Sequence, residues 1–230
     1  MNIRLATLAT LATLLAGSLA TAHAATSSST YLLAEDLTDW SSSLDLSQFN
    51  PALGTLNSVT IELAASLWGS GGVENLQSRK SGTFGVRLDG NLALDAPTAG
   101  AWLSFSRTLI DQTVTLTQHD GNNDQAGSSG ARWAYLVQAS QSRSFTDALQ
   151  LAAFTGTGTV NAALSANAVS LIGGPSSRYS NFDTSVSSRV TVSYDFTGAA
   201  VNAVPEPGTW ALMAAGLGMV GMLASRRRAA

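Results

Sequence analysis

The chain has 230 residues, 45% of them hydrophobic and 12% charged, with 21 glycines, no cysteine and a formal net charge of −3. The lack of cysteine excludes a disulfide scaffold, so packing, hydrogen bonds or bound ions must hold the fold. Setting aside Arg4, Glu206 and the three C-terminal arginines leaves 14 acidic against 8 basic residues, a net of about −6. That balance supplies no cationic surface to displace phosphate counterions, and a nucleic-acid partner is not expected.

The N-terminus opens with Met1-Asn2-Ile3-Arg4, a short cationic start, followed by the uncharged Leu5–Ala20. Ala22 and Ala24 then place small residues at the two positions that a signal peptidase reads. Residues 1–24 read as a signal peptide passed through the Sec translocon and cut after Ala24, with Ala25 as the alternative. A first transmembrane helix fits less well, because the apolar stretch is short and ends at a processing site. The mature chain would begin outside the inner membrane.

Residues 25–203 are enough for one domain with its own core. Ser, Thr, Asn, Gln and Gly must cover its surface, a composition suited to short strands and turns. Val59, Ile61 and Leu63 alternate with polar neighbours, as do Val114 and Leu116, and then Val190, Val192, Tyr194 and Phe196. Period-two patterns of this kind bury one face of an antiparallel sheet and leave the other wet. Further strands are expected at Thr83–Leu88, Ala101–Ser106, Trp133–Ala139 and Thr159–Ala166. Turns are expected at Asp89-Gly90-Asn91, Asp120-Gly121-Asn122 and Gly173-Gly174-Pro175. The sum is an all-β antiparallel β-sandwich, jelly-roll-like or Ig-like. A turn or two of helix is allowed at Asp147–Phe154.

Within Phe49-Asn50-Pro51-Ala52-Leu53-Gly54-Thr55-Leu56, Asn-Pro starts a turn and Gly54 relaxes it. Leu53 and Leu56 are expected to pin the loop to the core at the entrance to the strand Val59–Leu63. Gln48–Val59 resembles the opening motif of the choice-of-anchor E family, and Phe154–Val160 is similar to the Gly/Thr turn of its second half. The resemblance implies an exported domain fixed to the cell by a sorting tail, and it brings no catalytic role.

The C-terminal segment has three parts in order. Pro205-Glu206-Pro207 is rigid and extended, since proline fixes φ and lacks a donor. Trp210–Ala224 carries no charge, and counted from Thr209 to Ser225 it reaches the lower limit of a membrane-spanning helix. Arg226, Arg227 and Arg228 would hold the end of the chain on the cytoplasmic side. Val204–Pro207, the apolar run and the arginines together resemble the PEP-CTERM sorting tail of biofilm-forming Gram-negative bacteria, with the tail spanning 204–228. The resemblance implies recognition by a membrane-embedded exosortase, removal of the tail, and delivery to the cell surface or exopolymer.

Candidate chemistry within the domain is sparse. His119 is the one histidine after the signal peptide, there is no Gly-x-Ser-x-Gly elbow, and a loop or packing role is expected for it. One histidine without cysteine leaves a zinc site short of its usual ligands. A glycosidase would need paired carboxylates, and Glu62 with Glu74 or Glu35 with Asp39 can be named. Asp120, Asn122 and Asp124 alternate as calcium ligands do, but Gln125 replaces the turn glycine and Ala131 the bidentate glutamate of an EF-hand. Trp102 and Trp133 lie in expected strands and should pack in the core, whereas Trp68 and Trp40 could stack on sugars of an exopolysaccharide. The expectation is an exported, non-catalytic surface or matrix protein without a cofactor, with a secreted polysaccharide hydrolase or a plain membrane-anchored adhesin as alternatives.

Overall fold

The computed structural model describes residues 24–97, 101–199 and 207–228. His23–Gly198 form one compact unit, and the C-terminal helix belongs to another. The signal-peptide residues through His23, together with Pro205 and Glu206, lie outside the described residues; Ala24 opens the first strand.

Eight strands build the domain: β1 (Ala24–Leu37), β2 (Trp40–Ser47), β3 (Gly54–Asn75), β4 (Gly82–Asp95), β5 (Ala101–Leu116), β6 (Gly130–Phe145), β7 (Thr159–Gly173) and β8 (Arg178–Gly198). They form two four-stranded antiparallel sheets, ordered β1-β8-β3-β6 and β2-β7-β4-β5. First pairs with last, second with seventh, third with sixth and fourth with fifth. The chain is therefore one long hairpin rolled over itself, the jelly-roll arrangement. An Ig-like sandwich would group the strands differently, so the pairing decides between the two expected forms.

The core follows the expected alternation. Val59, Ile61, Leu63, Ala65 and Leu67 of β3 and Val186, Val190, Val192 and Tyr194 of β8 face Phe84, Val86, Leu88, Leu92 and Leu94 of β4 and Ala162, Leu164 and Ala166 of β7. Each fully buried Leu, Ile, Val or Phe contributes on the order of 1.5–3 kcal/mol. Trp102 packs against Phe145 and Phe154 with centroids 6.2 and 5.3 Å away, and Trp133 also lies against the core.

Every expected strand is present, and helix α1 (Ala148–Ala153) sits within the allowed stretch. Two readings need correction. Asp89-Gly90-Asn91 is no turn: it lies inside β4 beside a register shift at Leu88/Asp89. Asp89 is held there by Arg87 at 2.7 Å and by the Thr108 hydroxyl at 2.6 Å. A Cβ on Gly90 would stand 2.6 Å from Leu67, so the glycine serves close packing between the sheets. Leu53 does not pin its loop, being 48% exposed; Phe49 fills that role at 2%. Asn50 caps the 3-10 turn Pro51–Leu53 by accepting from the Ala52 amide at 2.9 Å.

Helix α2 spans Pro207–Arg228, with proline in the first turn where its missing donor costs nothing. Leu212, Met213, Leu217, Met219, Val220 and Met222 are all exposed, so the helix has no single apolar face. Among the described residues no helix is long and apolar enough to cross a membrane. The run Trp210–Ala224 has a physical shortfall: at 1.5 Å per residue it covers about 22 Å of a hydrocarbon core of about 30 Å. It is also diluted by Gly216, Gly218, Gly221 and four alanines.

Candidate functional site

Two loops meet at one end of the jelly roll: residues 76–81, between β3 and β4, and residues 117–129, between β5 and β6. At the end of β3 the period-two pattern breaks, and Val73, Glu74 and Asn75 are all fully buried. Asn75 ties the loops together. Its Nδ2 donates to Thr117 O at 2.6 Å and Lys80 O at 2.9 Å, while its Oδ1 accepts from the Gln77 amide at 3.1 Å. Its own amide donates to Ser129 O, and the His119 amide to Gln77 O, at 2.8 and 2.9 Å. The hub draws His119 and Asp120 to the end of β3.

Ligand-capable atoms of Glu74, His119 and Asp120 consequently lie within 4.8 Å of one another. Glu74 is sealed from solvent, His119 half-buried and Asp120 exposed. Neither carboxylate oxygen of Glu74 has a hydrogen-bond partner, and the buried Ser129 hydroxyl is likewise without one. Opposite Glu74 on β6 stands Gly130, where a Cβ would lie 2.4 Å from Glu74 Oε2. The glycine makes the space that the carboxylate occupies.

The loop of the calcium expectation is used differently. Asp120 Oδ1 accepts from the Asn122 amide at 2.9 Å, and Asp124 Oδ1 from the Ala126 amide at 3.0 Å. Both carboxylates thus serve local turns of the kind these residues make. The backbone is left-handed at Gln125 (φ 54°), yet its side chain turns inward and donates to Gly72 O at 3.1 Å. Asp120 alone of the three joins the Glu74–His119 cluster.

Of the two carboxylate pairs named from sequence, Glu62 and Glu74 stay far apart, and Glu35 and Asp39 are each engaged by their own hydrogen-bond donor. Glu62 and Glu74 lie on the same strand, twelve residues apart, about 40 Å at 3.3 Å per residue. Glu35 accepts from Ser185 Oγ at 2.5 Å, and Asp39 (φ 75°) accepts from the Ala168 amide at 3.2 Å. Of the tryptophans named for sugar contact, Trp68 is 44% exposed on β3, opposite Leu136 and Ser185. Trp40 packs against the core with its indole N–H enclosed and unpartnered.

Asn75 was not legible as a site residue in the sequence, and Glu74 was named there only as half of a carboxylate pair. The available signal was the loss of regular alternation after Gly69-Ser70-Gly71-Gly72, where Val73, Glu74 and Asn75 follow one another at the strand end. Elsewhere, burial and the neighbouring Tyr31 push the Tyr194 phenol up to about 12, and its hydroxyl donates to Ser47 O. The hydrogen bond from Arg87 holds Asp89 below the ordinary carboxylate range.

Residues 203–228 match the PEP-CTERM protein-sorting motif. This defines the chain as an exported protein that carries an exosortase-read sorting tail behind an all-β domain. No curated protein matches it as a relative. Among solved structures, the VP2 subviral particle of infectious bursal disease virus is 10% identical over 77% of this chain, with a TM-score of 0.25. The chain spans 38% of that protein. Desmodium yellow mottle tymovirus gives 12% identity, 87% of this chain, 97% of that one and a TM-score of 0.22. At such scores neither likeness bears on function.

Proposed function

We propose that the jelly roll is the non-catalytic body of a cell-surface or extracellular-matrix protein, released into the exopolysaccharide of a biofilm after exosortase processing. The observation that carries this is the sorting motif at 203–228, which begins just after the last strand ends at Gly198. In this reading signal peptidase cuts after Ala24 and the exosortase reads Pro205, Glu206 and Pro207. The short helix α2 and Arg226–Arg228 engage the inner membrane before the tail is removed. In this reading the domain is a choice-of-anchor E domain, a reading supported by the resemblance of its FNPALGTL segment to that family's opening motif.

The outer face of the β1-β8-β3-β6 sheet supports a role in polymer contact. It carries a shallow groove of about 860 Å³ whose floor includes Ala64, Ser66, Ser140 and Ser187, flanked by Glu62 and Arg189. Small side chains and hydroxyls suit a chain lying across the sheet, and the exposed Trp68 on β3 offers a ring for sugar stacking. A polysaccharide hydrolase would need two carboxyl groups about 5–10 Å apart across a cleft, and Glu62 and Glu74, twelve residues apart along β3, are too far from each other for that.

Replacing Pro205, Glu206 and Pro207 together by alanine tests the proposal in the native host. The expected result is an unprocessed chain retained in the inner-membrane fraction, against a trimmed wild-type protein at the surface or in the matrix. Identical size and location for both proteins would refute it.

A further inference from the structure

Glu74 is the least comfortable side chain in the molecule. It is fully buried with both carboxylate oxygens unpartnered, and a carboxylate stripped of water without a donor or counter-charge is costly. Most carboxylates elsewhere in the fold are exposed on strand faces or occupied by amide or hydroxyl donors. Glu74 instead points its oxygens toward His119 and Asp120, within 4.8 Å of a ligand-capable atom of each. Gly130 keeps open the volume they occupy.

We infer that Glu74, His119 and Asp120 form a binding site for a divalent transition-metal ion of the zinc or manganese class, seated where the 76–81 and 117–129 loops meet. The donor set is one imidazole nitrogen and two carboxylates. Imidazole favours transition metals over calcium, which takes oxygen ligands, and the two carboxylates supply the compensating charge.

The histidine is already in the required form. Its Nε2 lies 3.0 Å from the carbonyl oxygen of Asn122 and 3.0 Å from Asn123 Oδ1. A carbonyl only accepts, so Nε2 donates to it and Nδ1 is the ring nitrogen left to face a metal. Orientation of one ring nitrogen by a carbonyl is how proteins commonly prepare the other for a metal. Asp120 contributes through Oδ2, since Oδ1 is held by the Asn122 amide.

Spacing fits after a small closure. Tetrahedral bonds of about 2.0–2.2 Å set ligand atoms about 3.3–3.6 Å apart, so the cluster, with its atoms within 4.8 Å of one another, tightens by at most about 1.5 Å. Asp120 is exposed and supplies that movement, whereas Glu74 is fixed by its strand. Three protein ligands leave a position for water, and the buried Ser129 hydroxyl is a further unpartnered oxygen at the adjoining strand start.

The mature protein from its host, stripped with chelator and dialysed, would be titrated with Zn²⁺ by calorimetry, with Mn²⁺ and Ca²⁺ in parallel. The expected result is one Zn²⁺ or Mn²⁺ per chain, bound at least tenfold more tightly than Ca²⁺. Melting temperature should rise on loading. Glu74→Gln and His119→Gln should each weaken binding at least tenfold, while Asp124→Asn leaves it unchanged. Without metal, Glu74→Gln should melt no lower than wild type, because it removes an unpartnered charge; this separates lost binding from lost folding. Absence of a stoichiometric transition-metal site would overturn the assignment. So would unchanged affinity in both Glu74→Gln and His119→Gln, or a calcium-selective site abolished by Asp124→Asn.

Discussion

Asn75→Ala should be among the most damaging single substitutions away from the hydrophobic core. Three hydrogen bonds end on this one side chain, at 2.6, 2.9 and 3.1 Å, and the residue is fully buried. At about 1 kcal/mol net for each bond, the loss comes to about 3 kcal/mol. For a domain of this size that corresponds to a melting temperature lower by roughly 6–12 °C. Asn75→Asp is the sharper variant. It keeps the acceptor for the Gln77 amide but sets a carboxylate oxygen against the Thr117 and Lys80 carbonyls, next in sequence to the unpartnered Glu74. Its loss should exceed that of the alanine variant. Urea denaturation and thermal melting measure both effects, and amide exchange at His119 and Gln77 should quicken. A melting temperature within about 2 °C of wild type for Asn75→Ala, or an aspartate variant more stable than the alanine one, would refute the hub.

Gly130→Ala should destabilise by about 1–3 kcal/mol or more, because its Cβ would fall 2.3 Å from the Ala126 nitrogen and 2.4 Å from Glu74 Oε2. Gly85→Ala, with nothing within 4 Å of the new carbon, should be neutral or slightly stabilising in the same melt. Tyr194 should ionise last among the ectodomain tyrosines in an ultraviolet titration, near pH 12. Because its folded value lies above the unfolded value of about 10, its contribution to stability is complete below pH 10 and is lost as pH rises toward 12. Tyr194→Phe should flatten that alkaline decline in denaturation curves, and an unchanged decline would count against the assignment.

The sheets were readable because burial in a sandwich imposes period two on its inner strands. Val59–Leu63, Thr83–Leu88 and Val190–Phe196 sit in β3, β4 and β8, which have neighbours on both sides. β1 and β2 escaped notice because Ser, Thr and acidic residues fill them and their apolar face is thin, whereas β5 and β6, edges as well, carry enough apolar residues to be read. The Asp-Gly-Asn of β4 misled because local turn chemistry was overruled by sheet packing at Gly90. Jelly-roll pairing joins residues more than 160 apart, such as Ala24 with Thr197, and no local pattern encodes that. The same long-range register explains the hidden cluster: Glu74 and His119 are 45 positions apart and meet only because Asn75 gathers two loops at one end. The sorting tail was legible as a tripartite motif, since its parts are contiguous.

The account stands most directly on the intact mass of the protein recovered from the matrix or medium of its own host. It predicts a chain starting at Ala25 and ending near Pro205–Pro207, with any further mass reporting attached sugar. A chain that keeps α2 and Arg226–Arg228 and stays in the membrane fraction would contradict exosortase processing and leave a plainly anchored surface domain.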